Sequence, residues 1–252
     1  MKRESKNVKV AFISDIHGNL GALSNVFQDI DNKNDIELIC CTGDIVGYYP
    51  HPLECIDLIK KRCNHIIKGN HDEVVTNKDF EKQKAWFNAI AADALTWTRK
   101  QILNSSSASH FHFLESLPIS KEIIIEERKV LIAHGTPEEK WEYFLYPFWL
   151  GEPLPEQKVR LNRWLKKWEL VVIGHTHQPF IYRFRKKVVL NPGSVGQPRD
   201  GNPKASYAIA DITKLKIHVE IIRLDYNIKK TCEALIKANL HEYLCLRLLT
   251  GN

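Results

Sequence analysis

Five times along this 252-residue chain, a short and continuously apolar run stops at a break rich in Gly, His, Asp or Asn. "VKVAFIS" leads to "DIHGN", "IELICCT" to "GDIVGYYPHP", "HII" to "KGNHDE", "VLIA" to "HGTPEE", and "ELVVI" to "GHTHQP". Apolar residues that run on consecutively, rather than at every second position, predict strands covered on both faces, as in sheets layered by helices. In such α/β folds the loops at the carboxyl ends of the strands carry the sites. Helical spacing in "LGALSNVFQDI" and "PLECIDLIKKR" predicts crossover helices behind the first two runs. A helical cover is expected over about 78–117. Beyond Phe180 the runs "FIYRFRKKVVLNPG", "ASYAIADIT" and "KIHVEIIRL" read as antiparallel strands, the first folding back over its "RKK" turn. An amphipathic helical tail follows at about 226–250, with a break near Asn239. No repeat or linker divides residues 1–252, so a single domain is expected, and 44% apolar residues supply one large core.

Composition narrows the function classes. No stretch approaches the roughly 18 uninterrupted apolar residues of a membrane span. The start "MKRESKNVKV" has no signal-peptide apolar region, so a soluble, cytoplasmic protein without a membrane partner is expected. Six cysteines lie in apolar or helical segments with no C-x-x-C spacing, which reads as reduced, buried thiols rather than a zinc site. A formal charge of +6 is modest for this length and fits a mild preference for anionic substrates. The clusters "KKR" and "RFRKK" have no interleaved aromatic pattern, which argues against stable nucleic-acid binding. A homo-oligomer is compatible with the chain. The aromatic segment with Trp141, Tyr143, Phe144, Tyr146, Phe148 and Trp149 directly follows one polar loop and is a candidate substrate-facing or partner-facing element.

The strand-end residues form one set: Asp15, His17, Asp44, Asn70, His71, Asp72, His134, His175 and His177. Singly, each has an ordinary explanation as a helix cap or a satisfied polar residue. Jointly, oxygen and imidazole donors at five separate strand ends converge only if something sits between them. Carboxylate, amide and imidazole donors suit Mn, Fe, Zn, Ni or Co rather than a thiolate metal. The donors are too many for one ion, whereas two ions roughly 3.5–4 Å apart need a set of about this size. Asp44 is the natural bridging carboxylate, with one oxygen for each ion.

The ordered motifs D-x-H, G-D, G-N-H-D, H-G and G-H-T-H, followed by "NPGSVGQPRDG", resemble the calcineurin-like metallophosphoesterase superfamily, especially its small bacterial and archaeal branch. The resemblance implies a central β-sandwich of two mixed sheets flanked by helices, an α/β fold with a dimetal site at the strand ends. It implies Asp15, His17 and His177 around the first divalent ion, Asn70, His134 and His175 around the second, and Asp44 between them, with manganese favoured. A hydroxide bridging the two ions would hydrolyse phosphate esters, as a phosphodiesterase or phosphatase. His71 would face the substrate as the acid, and Asp72 would orient and charge its imidazole. Serine/threonine phosphatases and symmetrical tetraphosphatases carry an Arg in G-D-x-x-D-R-G. The loop "GDIVGYYPHP" has none, so Arg199 is a candidate substitute, and Asn19 is a second candidate for substrate binding. The expected substrate is a phosphorylated small molecule or nucleotide. The alternatives are a nucleotide pyrophosphatase or dinucleoside polyphosphate hydrolase, an inactive metal-binding scaffold, and a nucleic-acid binder using the basic turn.

Overall fold

A computed structural model describes residues 7–105, 108–143 and 153–252. The first half alternates strand and helix: β1 (Val8–Ile13), α1 (Leu20–Lys33), β2 (Leu38–Cys41), α2 (Pro52–Arg62) and β3 (His65–Ile66). Helices α3 (Asn70–Thr76), α4 (Phe80–Lys84), α5 (Ala89–Asn104) and α6 (Ser109–Ser116) follow. Then come β4 (Ser120–Ile125), β5 (Arg128–Ala133), α7 (Pro155–Lys167), β6 (Leu170–Val172), β7 (Phe180–Phe184) and β8 (Lys187–Asn191). The chain ends with β9 (Ala205–Ile212), β10 (Ile217–Leu224), α8 (Ile228–Lys237) and α9 (Tyr243–Thr250).

The strands form two five-stranded sheets, ordered β10-β9-β1-β2-β3 and β4-β5-β6-β8-β7. Both are mixed. β1, β2 and β3 run parallel, as do β5, β6 and β8, and antiparallel strands complete each sheet. Alternation along each strand explains the layers. In β1, Val8, Val10 and Phe12 face the second sheet and meet Val130, Ile132, Leu170, Val172 and Leu190. The intervening Ala11 and Ile13 face outward, onto Leu23 and Val26 of α1 and Ile56 and Ile59 of α2. On the far side, Leu131 and Val171 meet Leu161, Trp164 and Leu165 of α7. The order is therefore helix, sheet, sheet, helix, which is why the strands are apolar on both faces.

One strand has no counterpart in the sequence reading. β4 is an edge strand whose residues from Ser120 to Ile124 are exposed or only half-buried, so "SKEII" carries little hydrophobic signal. Its hairpin to β5 turns through Glu126 and Glu127, both left-handed at φ 46° and 64°, where Asn and Gly are the usual residues.

Candidate metal centre

The loops after β1 and β2 are laced together by backbone bonds. The N–H of Asp15 donates to the Gly43 carbonyl, and the N–H groups of Ile16 and His17 both donate to that of Asp44. The Asp15 carbonyl is fixed by Gly196 N–H and Ser194 Oγ, which come from the loop after β8. Space is tight. A Cβ on Gly69 would lie 2.1 Å from Asp44 Oδ1, and one on Gly47, at φ +143°, would lie 2.6 Å from His71 Nδ1. Only glycine lets these loops approach. Asp15, His17, Asp44, His175 and His177 all have left-handed backbones, with φ between 52° and 67°. Non-glycine residues reach that region at a cost of order 1–3 kcal/mol each, and such strain concentrates at functional sites.

These loops bring together two donor groups. Asp15, His17, Asp44 and His177 form one, and Asp44, His134 and His175 form the other, with ligand atoms within 4.8 Å of one another in each. Asp44 belongs to both. Its Oδ2 lies 3.6 Å from His17 Nε2 and 3.3 Å from His134 Nε2, while its Oδ1 accepts the His71 N–H at 2.8 Å. The expectation of one Asp44 oxygen per ion is thus replaced by a single oxygen shared between the groups. Asn70, at the start of α3, keeps its Oδ1 buried and without a partner.

Backbone carbonyls set the imidazole tautomers. Nδ1 of His17, His134 and His177 contacts the carbonyls of Val46, Thr42 and Gln197, at 3.2, 2.7 and 2.5 Å. A carbonyl only accepts, so each Nδ1 carries the proton and each Nε2 keeps its lone pair for the centre. His175 is reversed, its Nε2 meeting the Trp141 carbonyl at 3.1 Å, which leaves Nδ1 as the donor atom. His17 Nε2 and His177 Nε2 consequently face each other at 3.1 Å as two lone pairs. Asp15 Oδ1, Asn70 Oδ1 and His134 Nε2 are buried and make no hydrogen bond among the described residues. Converging lone pairs and orphaned acceptors are unfavourable in a dry cavity and are what cations satisfy, so the residues fit divalent metals.

The electrostatics agree. Burial holds His17 and His177 well below the ordinary imidazole range, His175 down to about 3 and His71 down to about 4, so all four rings are neutral at pH 7. Neutral imidazole is the ligating form. Burial pushes Asp15 up to about 7 and acts on Asp44 in the same sense, but His134, first among the neighbouring imidazoles, outweighs it and holds Asp44 below the carboxylate range. His134 moves up to about 9, since Asp44 and Asp15 overcome its own desolvation. A proton on His134 and a cation beside it answer the same two carboxylates.

A family model described as the calcineurin-like phosphoesterase superfamily domain matches residues 8–215. The chain belongs to that superfamily. It is 39% identical to an uncharacterized protein of Methanocaldococcus jannaschii over 96% of this chain and 98% of the other. A metallophosphoesterase structure from Sphaerobacter thermophilus superposes with a TM-score of 0.76 at 31% identity, covering 98% of this chain and all of that one. The phosphodiesterase YfcE of Escherichia coli strain K12 is 24% identical over 83% of this chain and 91% of its own length. As a calcineurin-like phosphoesterase, the chain is a hydrolase of phosphate esters, and its donor cluster makes the centre a dinuclear site for divalent cations.

Not every expected residue sits where the motifs suggested. Asp72 does not touch the His71 ring. Its carboxylate accepts the N–H groups of Ile45, Val46 and Gly69, because neighbours on a helix point apart and Asp72 is the third residue of α3. Asp72 therefore ties the Asp44 loop to α3, despite a carboxyl that burial and Asp44 push up to about 7. Asp72→Ala leaves three buried donors without an acceptor and is expected to cost about 3 kcal/mol, read as a lower denaturation midpoint. Unchanged stability with lost turnover would instead return Asp72 to the chemistry.

Asn19 is also placed otherwise. It caps α1 through Ala22 N–H, donates to the Gly196 carbonyl and Tyr226 Oη, and accepts from Thr231 Oγ1, so its buried amide is spent inside the fold. Arg199, in contrast, lines a cavity of about 720 Å³ together with Asn70 and His175. Asp200 is not its partner, being paired with Arg223 at 2.7 Å. Trp141 and Tyr143 line the same cavity, and the Tyr143 ring lies 3.9 Å from that of His175. Phe144, Tyr146, Phe148 and Trp149 lie outside the described residues. The motifs gave no notice of Tyr48, whose ring is 4.7 Å from His17 and 4.8 Å from His71. Its one signal was an aromatic pair inside "GDIVGYYPHP".

Proposed function

We propose that this protein is a dimetal phosphodiesterase or phosphatase acting on a phosphorylated small molecule or nucleotide that enters the cavity beside Asn70, His175 and Arg199. The observation that carries this reading is the single Asp44 oxygen shared by two donor groups, beside which Asp15 Oδ1, His134 Nε2 and Asn70 Oδ1 are buried without a hydrogen-bond partner among the described residues. Asp15, His17 and His177 would hold one ion, Asn70, His134 and His175 the other, and Asp44 would serve both. Two divalent cations, when bound, would supply a water activated for in-line attack on phosphorus and would neutralise charge on the phosphoryl oxygens.

The chain's own groups do the rest. The left-handed backbones and carbonyl-fixed tautomers hold each donor in place before substrate arrives, so little reorganisation is needed. Arg199, whose Nε is buried without a hydrogen-bond partner among the described residues and whose Nη2 lies 3.0 Å from Gln197 Oε1, offers a guanidinium, also bonded by Tyr143, to the reacting phosphate. His71 packs against His17 and Tyr48 and donates a hydrogen bond to the leaving oxygen. A ring held neutral by burial gives an N–H rather than a full positive charge to that oxygen.

Oxygen and imidazole donors with no thiolate support Mn, Fe, Zn, Ni or Co, and manganese is the ion favoured by the family resemblance. Six free cysteines support a cytoplasmic location. The basic turn at Arg185 and Lys186 borders a different cavity, with Leu165 and Phe184, so it does not extend the metal cleft into a nucleic-acid track. The test is hydrolysis of bis-p-nitrophenyl phosphate and p-nitrophenyl phosphate after chelation and re-addition of Mn, Ni, Fe, Zn or Mg. Turnover is expected to vanish with the metals and return with about two ions per chain. Full activity in metal-free protein overturns the reading.

A further inference from the structure

We infer that the cleft beside the metal centre contains a second anion subsite, built by Arg247 of α9 with Arg199 and Tyr48, which takes a second phosphoryl or other anionic group of the substrate. This rests on the phosphoesterase reading above and adds the substrate class. Arg247 lies outside the residues matched by the family model, so the subsite is carried by the C-terminal tail and not by the metal motifs.

Three observations converge on it. The first is charge: among the described residues lining the cavity, four cationic side chains stand against one carboxylate, Glu73, which already pairs with Lys140 at 2.8 Å. Lys82, Arg199 and Arg247 remain without an acidic side chain among the described residues. Lys82 aside, the two guanidiniums feel each other. Arg247 is held below the ordinary arginine range first by burial and then by the charge of Arg199. Two like charges brought together in a half-buried cleft are unfavourable until an anion lies between them.

The second is placement. Arg199 Nη2 lies 3.3 Å from Tyr48 Oη, and Arg247 Cζ is 5.7 Å from the centre of the same ring, which also contacts His17 and His71. Tyr48 thus joins the metal centre to the arginine pair. Arg247 Nε donates to the Asn252 carbonyl, and its two Nη nitrogens make no hydrogen bond among the described residues, which leaves them for a ligand.

The third is rigidity. Leu244 and Leu248 of α9 pack with Tyr48, Tyr49 and Ala94, and Tyr49 Oη donates to the Leu244 carbonyl. Gly201 N–H donates to the Gly251 carbonyl, so the end of α9 is docked on the loop that carries Arg199. A guanidinium presented by a docked helix is preorganised for a phosphate, which raises its contribution to binding.

The matched probes are thymidine 5′-(p-nitrophenyl phosphate) and the same ester bearing a 3′-phosphate. In the metal-loaded protein, Arg247→Ala is expected to raise KM for the bisphosphate about tenfold more than for the monophosphate, with kcat for both little changed, as for a lost charge-assisted contact. Arg199→Ala, which acts on the reacting phosphate, is expected to raise KM for both by a similar factor. Arg247→Gln keeps a donor and the stem packing over Tyr48, and melting curves on both variants separate loss of the subsite from loss of α9. Calorimetry supplies a readout without turnover: the preference for inorganic pyrophosphate over orthophosphate should narrow about tenfold in Arg247→Ala. Equal KM changes for the two esters, or an unchanged pyrophosphate preference, overturns the subsite. If the unaltered protein hydrolyses neither ester yet prefers pyrophosphate in an Arg247-dependent way, the subsite stands and the phosphoesterase reading falls.

Discussion

Asp44→Asn is expected to reduce turnover by at least about 10³-fold and to bring metal content below two ions per chain, a larger effect than substitution of any ligand that serves one ion. The physical reason lies in how the carboxylate is used. Oδ1 accepts the His71 N–H at 2.8 Å, and Oδ2 faces His17 and His134. An amide that keeps the first contact must turn its NH₂ toward the second, aiming donors where a cation is to bind. It also removes the negative charge that both cations share, and several kcal/mol of transition-state stabilisation depend on those cations. The shape is conserved, so the variant is expected to fold. Elemental analysis decides the matter, since retention of both ions would show that Asp44 does not join them.

His71→Ala is expected to retain both metals and lose roughly 10²–10³-fold in turnover for an ester with a poor alkoxide leaving group, the range for removing one preorganised donor. With p-nitrophenolate, which needs little help to depart, the loss should be distinctly smaller. The ring is buried at 3% exposure between His17, Tyr48 and Phe87, so its removal also opens a cavity and is expected to cost about 2–4 kcal/mol of stability. Metal content, melting and both rates are therefore measured on one preparation. Equal losses for good and poor leaving groups would move His71 from the leaving oxygen to the phosphoryl oxygens. Lost metal would make it a ligand.

Much of the fold was legible because burial on both faces of a strand leaves a mark at every position. "VAFI" of β1 and "LICC" of β2 are apolar at consecutive positions, since sandwich and helix layers claim alternate residues. The hairpin of β7 and β8 was legible in its basic turn. β4 was not, because an edge strand with a wet face and a Glu-Glu turn matches neither pattern. "GNHDE" was legible as chemistry and misread in detail. It opens α3 rather than merely ending β3, and helical geometry sends the side chain of Asp72 to three backbone donors and away from His71.

The sequence by itself determined which atoms are available: carboxylates, imidazoles and an amide, placed at strand ends in the order of the calcineurin-like motifs. Residue type carries that information, and the apolar runs before each motif place it at the same edge of the sheets. Tertiary structure alone decided how those atoms are used. His134 owes its free Nε2 to the carbonyl of Thr42, 92 residues away, and the Asp15 loop is held by Ser194, 179 residues away. Asn19 is spent on Gly196 and Tyr226, and Arg247 reaches the cleft because α9 docks against Tyr48. A hydrogen bond depends on direction and on what lies across the gap, and neither is encoded in the spacing of residues along the chain.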